Sequence, residues 1–240
     1  MGVMVPKLSR RQALGTFGTV SLGALLTGCR DEAEQSTTET QSKLLDEGNS
    51  CKVTTELTEG PYYFDADAIR RDIREDRKGQ KLRLVLRVRK ADGCTPIPNA
   101  VVDVWHSDAQ GIYSGFEAAW NSPGGGTPGS RTDEERYLRG AQVTNDEGVA
   151  EFVTIVPGRY PGRTPHIHAK VHLDRRTVLT TQLFFDEGML ARVYRQGPYS
   201  QDSGQDITNS SDGIFDESLV LDLRKRDGWV GAMTFDVERG

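Results

Sequence analysis

"KLRLVLRVRKADGCTPIPNAVVDVWH", residues 81–106, decides the fold class. Leu82, Leu84, Leu86 and Val88 fall at every second position, with Arg83, Arg87 and Arg89 among the residues of the other face. A period of two is that of a half-buried strand and not of a helix. "ADGCTPIPNA" is turn chemistry, and "VVDVWH" is a second strand. The same punctuation continues down the chain, with strands expected at "RGAQVT", "VAEFVTIV", "HIHAKVHL", "TVLTTQLFF", "SLVLDL" and "WVGAMTFDV". "NDEG", residues 145–148, reads as a hairpin turn between two of them. Helix is expected at "DADAIRRDI" (65–73) and at "DEGMLARVY" (186–194). Many short strands with few short helices make an all-β chain, an antiparallel sandwich or barrel.

Ahead of these strands the chain changes character twice. Residues 1–29 carry Arg10 and Arg11 before a weakly apolar run too short and too rich in Gly and Thr to span a bilayer. "SRRQAL" resembles a twin-arginine export signal, and "LLTGC" resembles a lipoprotein cleavage box with Cys29 as the lipidated residue. The expectation is an exported protein tethered to a membrane surface through that lipid. Residues 30–50 are polar and charged, and are expected to be a flexible linker. Residues 51–240 form one domain, large enough for a real core. Loss of the leader leaves 27 basic against 35 acidic residues, a net charge of −8. With no basic cluster, nucleic acid is excluded as a partner. With Cys29 lipidated, Cys51 and Cys94 remain as an even pair in an oxidising compartment, where a disulfide is expected; two free thiols are the alternative.

The four histidines are His106, His166, His168 and His172. His166 and His168 share one face of an extended segment, the arrangement of a metal pair. His172 keeps the alternation but lies too far along the strand to share one ion with both, and His106 after "VVDVW" reads as a structural hydrogen-bonding residue. No C-x-x-C or H-E-x-x-H accompanies them, against a zinc site. Two tyrosines stand in suggestive settings: Tyr113 in "QGIYSGF" and Tyr160 in "PGRYPG". Phenolate is a hard oxygen donor suited to a ferric ion, whose charge would depress the phenol's ordinary pKa of about 10. The polar excursion "NSPGGGTPGSRTDEERYLRG", residues 121–140, is expected to be a mobile loop at a binding surface.

"TEGPYY", "PIPNAVVDVWHSDAQGIYSGF", "RGAQVTNDEGVAEFVTIVPGRYPGRTPHIHAKV" and "TTQLFF" occur in this order over roughly residues 54–235. Together they resemble the intradiol ring-cleavage dioxygenases, non-haem ferric enzymes that open catechols between the two hydroxyls. The resemblance implies a prealbumin-like antiparallel β-sandwich with Fe(III) between strands and loops, and no organic cofactor. It implies Tyr113, Tyr160, His166 and His168 as metal ligands, Tyr160 and His168 axial, Tyr113 and His166 equatorial. Tyr160 would be displaced by substrate and take up one of its protons. Arg163 would stabilise the bound catecholate, Gln182 would be a polar residue near the site, and Tyr62 and Tyr63 would border the substrate pocket. A catechol-type substrate and O2 would give a cis,cis-muconate-type product holding both oxygen atoms.

The chain departs from the better-known cytoplasmic members in three ways. The long helical segment they use to dimerise is not seen before the first strand, so that dimer mode does not carry over. The step from Tyr160 to His166 is short, and "RTPHIH" stands where many members have Arg-Pro-Ala before the first histidine. Two rival readings are a non-enzymatic prealbumin-like carbohydrate-binding or adhesive sandwich, and a zinc or copper enzyme built on the H-x-H pair. Export points to aromatics met outside the cytoplasm, such as plant-derived phenolics; the particular catechol is not encoded in these motifs.

Overall fold

The computed structural model describes residue 45 and residues 51–117, 130–199 and 207–238. The leader, the linker apart from Leu45, and most of the Gly- and Pro-rich excursion lie outside the described residues. Eight strands form two four-stranded sheets: β1 (Lys81–Lys90), β2 (Val101–Trp105), β3 (Arg139–Val143), β4 (Val149–Ile155), β5 (His166–Leu173), β6 (Arg176–Phe184), β7 (Asp222–Arg226) and β8 (Gly228–Val237). One sheet runs β4-β1-β8-β7 and the other β3-β2-β5-β6. The expected sandwich is present, with one exception to antiparallel pairing: β1 lies parallel to β8.

The core forms between the sheets from alternate residues. Leu82, Leu84, Leu86 and Val88 of β1 meet Val102 and Val104 of β2, Ile167, Ala169 and Val171 of β5 and Leu183 of β6, all fully buried. Each large apolar side chain contributes about 1.5–3 kcal/mol of burial free energy, which is what fixes the register. The opposite face of β1, expected in water, is covered instead. Val85 joins Leu45, Val149, Val230 and Ala232 in a second small cluster. Arg89 there forms a pair with Asp236 at 2.8 Å, both nearly buried.

Three other local expectations are changed by the fold. Residues 65–73 are extended rather than helical. Arg70 N–H donates to Ala141 O (3.0 Å) and Ile73 N–H to Val153 O (3.0 Å), so the segment spans the open edges of both sheets, at β3 and at β4. Pairing two unprotected edges outweighs the weak helical propensity of this segment. "NDEG" is a tight turn, with Gly148 N–H donating to Asn145 O (2.9 Å), but it carries the chain from one sheet to the other and joins no hairpin. "SLVLDL" divides into a 3-10 turn at Glu217–Leu219 and the start of the exposed strand β7. The second expected helix is α1 (Glu187–Val193), capped by the Asp186 side chain accepting from Met189 N–H, with Met189, Leu190 and Val193 turned inward.

The start of the domain is tied first beside the β1–β8 sheet and then along the edge strand β6 of the other. Cys51 is bonded to Cys94, in the turn after β1. Residues 54–58 then run along β6, where Leu57 N–H donates to Thr180 O (2.9 Å) and Thr181 Oγ1 donates to Thr55 O (2.8 Å).

Candidate metal centre

With Ile167, Ala169 and Val171 committed to the core, the pleat turns His166, His168 and Lys170 to the other face of β5. That face carries a row of residues in register across the sheet: Arg139 opposite Trp105, Trp105 opposite His168, and His168 opposite Gln182. Residues directly opposite one another share a face and touch. Trp105 accordingly stacks on the His168 imidazole, centroids 4.8 Å apart and planes 6° from parallel. Loops 54–64, 106–116 and 157–165 close over this row, so both imidazoles are 2% exposed although they face away from the core.

Tyr113 is delivered by the loop after β2. Asp108 shapes that loop, its Oδ1 accepting from Gln110 N–H (2.9 Å) and Ile112 N–H (3.0 Å). Gly111 sits at φ +86°, and a Cβ there would come within 2.0 Å of the carbonyl oxygen of Arg159. The two tyrosine loops therefore touch backbone to backbone, and a side chain at 111 would force them apart. Gly158 N–H donating to Asp108 O (2.8 Å) ties the same junction.

The predicted ligands converge. His166 Nε2 lies 3.1 Å from His168 Nε2, which is 3.2 Å from the Tyr113 hydroxyl. The Tyr160 ring stands 5.6 Å from His166 and 5.7 Å from Tyr113, centroid to centroid. His166 Nδ1 is 2.7 Å from the Thr164 carbonyl oxygen, which can only accept, so the proton sits on Nδ1 and Nε2 presents a lone pair. Burial and the Arg163 charge hold His166 down to about 3, and burial with His166 itself puts His168 well below the usual imidazole range. Both rings are neutral donors at physiological pH. Burial pushes Tyr113 well above the usual phenol value; it also raises Tyr160, against which the charge and hydrogen bond of Arg163 pull downward.

These contacts fit a bound cation. The His166 Nε2 lone pair, His168 Nε2 and the Tyr113 hydroxyl are gathered within 3.1–3.2 Å of one another, three donor atoms at one place. A separation of 3.1 Å is of the size that two nitrogens each about 2.1 Å from one ion would have. His168 Nδ1 is buried without a hydrogen-bond partner, so this ring is held by packing and not by a second polar contact. Among the described residues no group of three or more His, Cys, Asp or Glu gathers anywhere, so the donors that accompany the histidines are phenol oxygens.

The flanking residues are also placed. Arg163 donates through Nε to Asp212 Oδ2 (2.9 Å) and through Nη2 to Gln182 Oε1 (2.7 Å), while Gln182 Nε2 donates to Thr58 O (2.9 Å). Tyr62 stacks on Tyr113 at 4.7 Å. Tyr63 packs on Trp105 at 4.6 Å and donates to Asp103 Oδ2 (3.2 Å), further from the donors. His106 lies apart: Nδ1 donates to Ser107 O (2.7 Å) and Nε2 accepts from Thr154 Oγ1 (2.7 Å), a satisfied core histidine. His172, at the half-buried end of β5, bonds Thr177 Oγ1 through Nδ1 (3.1 Å).

Three further residues of this neighbourhood have no role that the sequence alone predicts. Asp212 reaches the site from outside every motif. Trp105 reads only as part of a strand. Arg139 is 1% exposed, and burial lowers it to about 10. Its position opposite Trp105 is visible only once strand pairing is known.

A family model described as dioxygenase matches residues 58–194, the span that contains all four donor residues. An intradiol ring-cleavage dioxygenase from Tetranychus urticae superposes on 78% of this chain and 95% of its own, with a TM-score of 0.73 and 34% identity. The chain belongs to the intradiol ring-cleavage dioxygenase family. Within that family it is also similar to the dioxygenase domain of a dioxygenase–carbohydrate-binding fusion from Streptomyces sp. SirexAA-E, at 28% identity and a TM-score of 0.58 over 79% of this chain and all of that one. Among curated relatives, a chlorocatechol 1,2-dioxygenase of Rhodococcus opacus is 32% identical over 48% of this chain and 47% of its own. Catechol 1,2-dioxygenase 1 of Acinetobacter lwoffii is 30% identical over 54% and 45%. The chain spans about half the length of these curated dioxygenases.

Proposed function

We propose that the protein is an intradiol dioxygenase that opens a catechol-type ring between its two hydroxyls with O2, giving a cis,cis-muconate-type product. The observation that carries this is the convergence of two neutral, buried imidazoles with two tyrosines in a site without a carboxylate cluster among the described residues. Tyr113, Tyr160, His166 and His168 would hold Fe(III): phenolates are hard donors that favour a trivalent ion, and imidazole suits iron. When bound, Fe(III) supplies Lewis acidity that binds the catecholate and makes the ring reactive toward O2.

The residues divide the remaining work. Tyr160 is half-buried and hydrogen-bonded to Arg163, so of the two phenol oxygens it is the one an entering catechol would reach, and it would serve to take up a substrate hydroxyl proton. Arg163, held by Asp212 and Gln182, keeps its guanidinium beside the position where catecholate charge arrives. Tyr62 and Phe116, 5.2 Å apart, wall the Tyr113 side with aromatic surface and keep water from it. A binding or adhesive sandwich has no use for such a centre.

Oxygen uptake by purified protein over a panel of catechols, with ultraviolet spectra of the products, tests the proposal. Muconate-type products and a visible phenolate-to-iron band are expected. A colourless iron-loaded protein, or extradiol products, would refute it. We further propose that residues 1–29 direct export and that Cys29 carries lipid, which places the enzyme where extracellular, plant-derived phenolics are met. Cys29→Ala should release the protein from membranes, and unchanged membrane retention would contradict the anchor.

A further inference from the structure

Among the described residues Arg139 is a buried cation without a partner anion. Its Nε donates to Ser114 Oγ (2.8 Å) and its Nη2 to Ser114 O (2.8 Å), while Nη1 is buried without a hydrogen-bond partner. Its guanidinium lies 4.1 Å from the centroid of the Phe64 ring, and Arg131 stacks on the same ring at 4.1 Å, a neighbour of like charge. No described carboxylate lies within ion-pair distance of it; Asp103 acts on it only at longer range. Arg163 differs, because the buried Asp212 carboxylate already neutralises it. An unpaired charge out of water is costly, and folds keep one where a counter-charge arrives.

Tyr113 precedes Ser114, and the Arg139 guanidinium lies 6.0 Å from its ring centroid. We propose that Arg139 is a positioning residue of the metal centre. It clamps Ser114, thereby fixing the Tyr113 ring, and its charge compensates the anionic oxygen that Tyr113 presents to a bound ferric ion. This rests on the Fe(III) reading above and gives a role to Arg139, which opens the "RGAQVT" stretch but has no function that the sequence alone assigns.

Two measurements that do not involve turnover test it: iron retention against a competing chelator, and the wavelength of the visible band. The guanidinium lies 6.0 Å from the ring centroid; two opposite unit charges at about that separation, with an effective dielectric of about 20, interact by about a hundredfold, and repulsion between the guanidinium and the ferric ion reduces what appears in iron affinity. Arg139→Gln is expected to lose iron between about tenfold and a hundredfold more readily, and to move the band to longer wavelength, because the phenolate orbital rises without its cation. Arg139→Lys, which keeps the charge, is expected to stay within a few-fold of the parent. If Arg139→Gln does not fold, Ser114→Ala carries the test, with iron held about threefold to tenfold less tightly and a smaller shift of the same sign. The proposal is overturned if the band and affinity are unchanged in these variants, or if Arg139→Lys loses as much as Arg139→Gln. A parent protein without any phenolate-to-iron band would instead refute the iron reading itself.

Discussion

Asp212→Asn isolates what holds Arg163 in place. The native carboxylate uses both edges. Oδ2 accepts from Arg163 Nε (2.9 Å) and from Thr164 N–H (2.9 Å), and Oδ1 accepts from Ile214 N–H (3.1 Å). An amide has one accepting edge. With its oxygen toward Arg163, its NH2 faces the Ile214 donor; flipped, it faces the guanidinium. Either way a buried donor is stranded, at about 1–3 kcal/mol. Loss of the buried charge partner adds to this, but less than the roughly 3–5 kcal/mol of a fully enclosed pair, because the Arg163 side chain is 17% exposed and can rehydrate. The sum is about 2–4 kcal/mol of unfolding free energy, read as a lower urea midpoint. Freed from Asp212, Arg163 keeps only its contacts with Gln182 and Tyr160, and a guanidinium misplaced by about 1 Å costs up to a hundredfold in kcat. Iron content should not change, since none of the four proposed ligands bonds to Asp212. Oxygen uptake, iron analysis and urea titration of one preparation decide the matter. A variant with full kcat and an unshifted midpoint refutes the claim that Asp212 positions Arg163.

Gly111→Ala should cost about 1–3 kcal/mol from the left-handed backbone alone and, by pushing the Arg159 carbonyl away, should separate Tyr113 from Tyr160; a folded variant with parental iron content counts against the coupling of the two loops. Reduction of Cys51–Cys94, or replacement of both by Ser, opens a link across 43 residues and should lower stability by about 4 kcal/mol on the chain-entropy model, measured by denaturation with and without reductant. His106 is held neutral by burial at about 4, below the unfolded value of about 6.5. The unfolded chain therefore takes up the proton first, so this stability is complete above about pH 6.5 and falls by about 3 kcal/mol as the pH drops to about 4. His106→Gln should flatten that part of the pH–stability curve, and an identical slope would reject the assignment.

The sandwich was legible because its signal is local. Leu82, Leu84, Leu86 and Val88 point one way by geometry alone, and in the fold they do so together, each fully buried. Where local pattern misled, a distant partner was responsible. The arginines of β1 alternate as solvent-facing residues would, yet Asp236 pairs with Arg89 and Leu45 covers Val85, and neither partner is near β1 in sequence. Residues 65–73 have helix-compatible composition, but the free edges of β3 and β4 offer them hydrogen bonds that no sequence window contains. "NDEG" encodes its turn faithfully; which sheets the turn connects depends on strand order, which no turn residue specifies.

The site divides along the same line. His166, His168, Tyr113, Tyr160 and Arg163 stand in recognisable settings because the proposed metal binding and charge stabilisation would demand particular side chains at particular backbone positions. Asp212 lies 49 residues from Arg163 and meets it only in the fold. Arg139 belongs to a different strand from His168 and reaches its row through two strand pairings, first to Trp105 and then from Trp105 to His168. A buried ion can be balanced by any opposite charge that the topology brings near, so its partner need not obey a spacing rule. The donors of such a centre can be read from a sequence, whereas the residues that balance their charge require the sheet register.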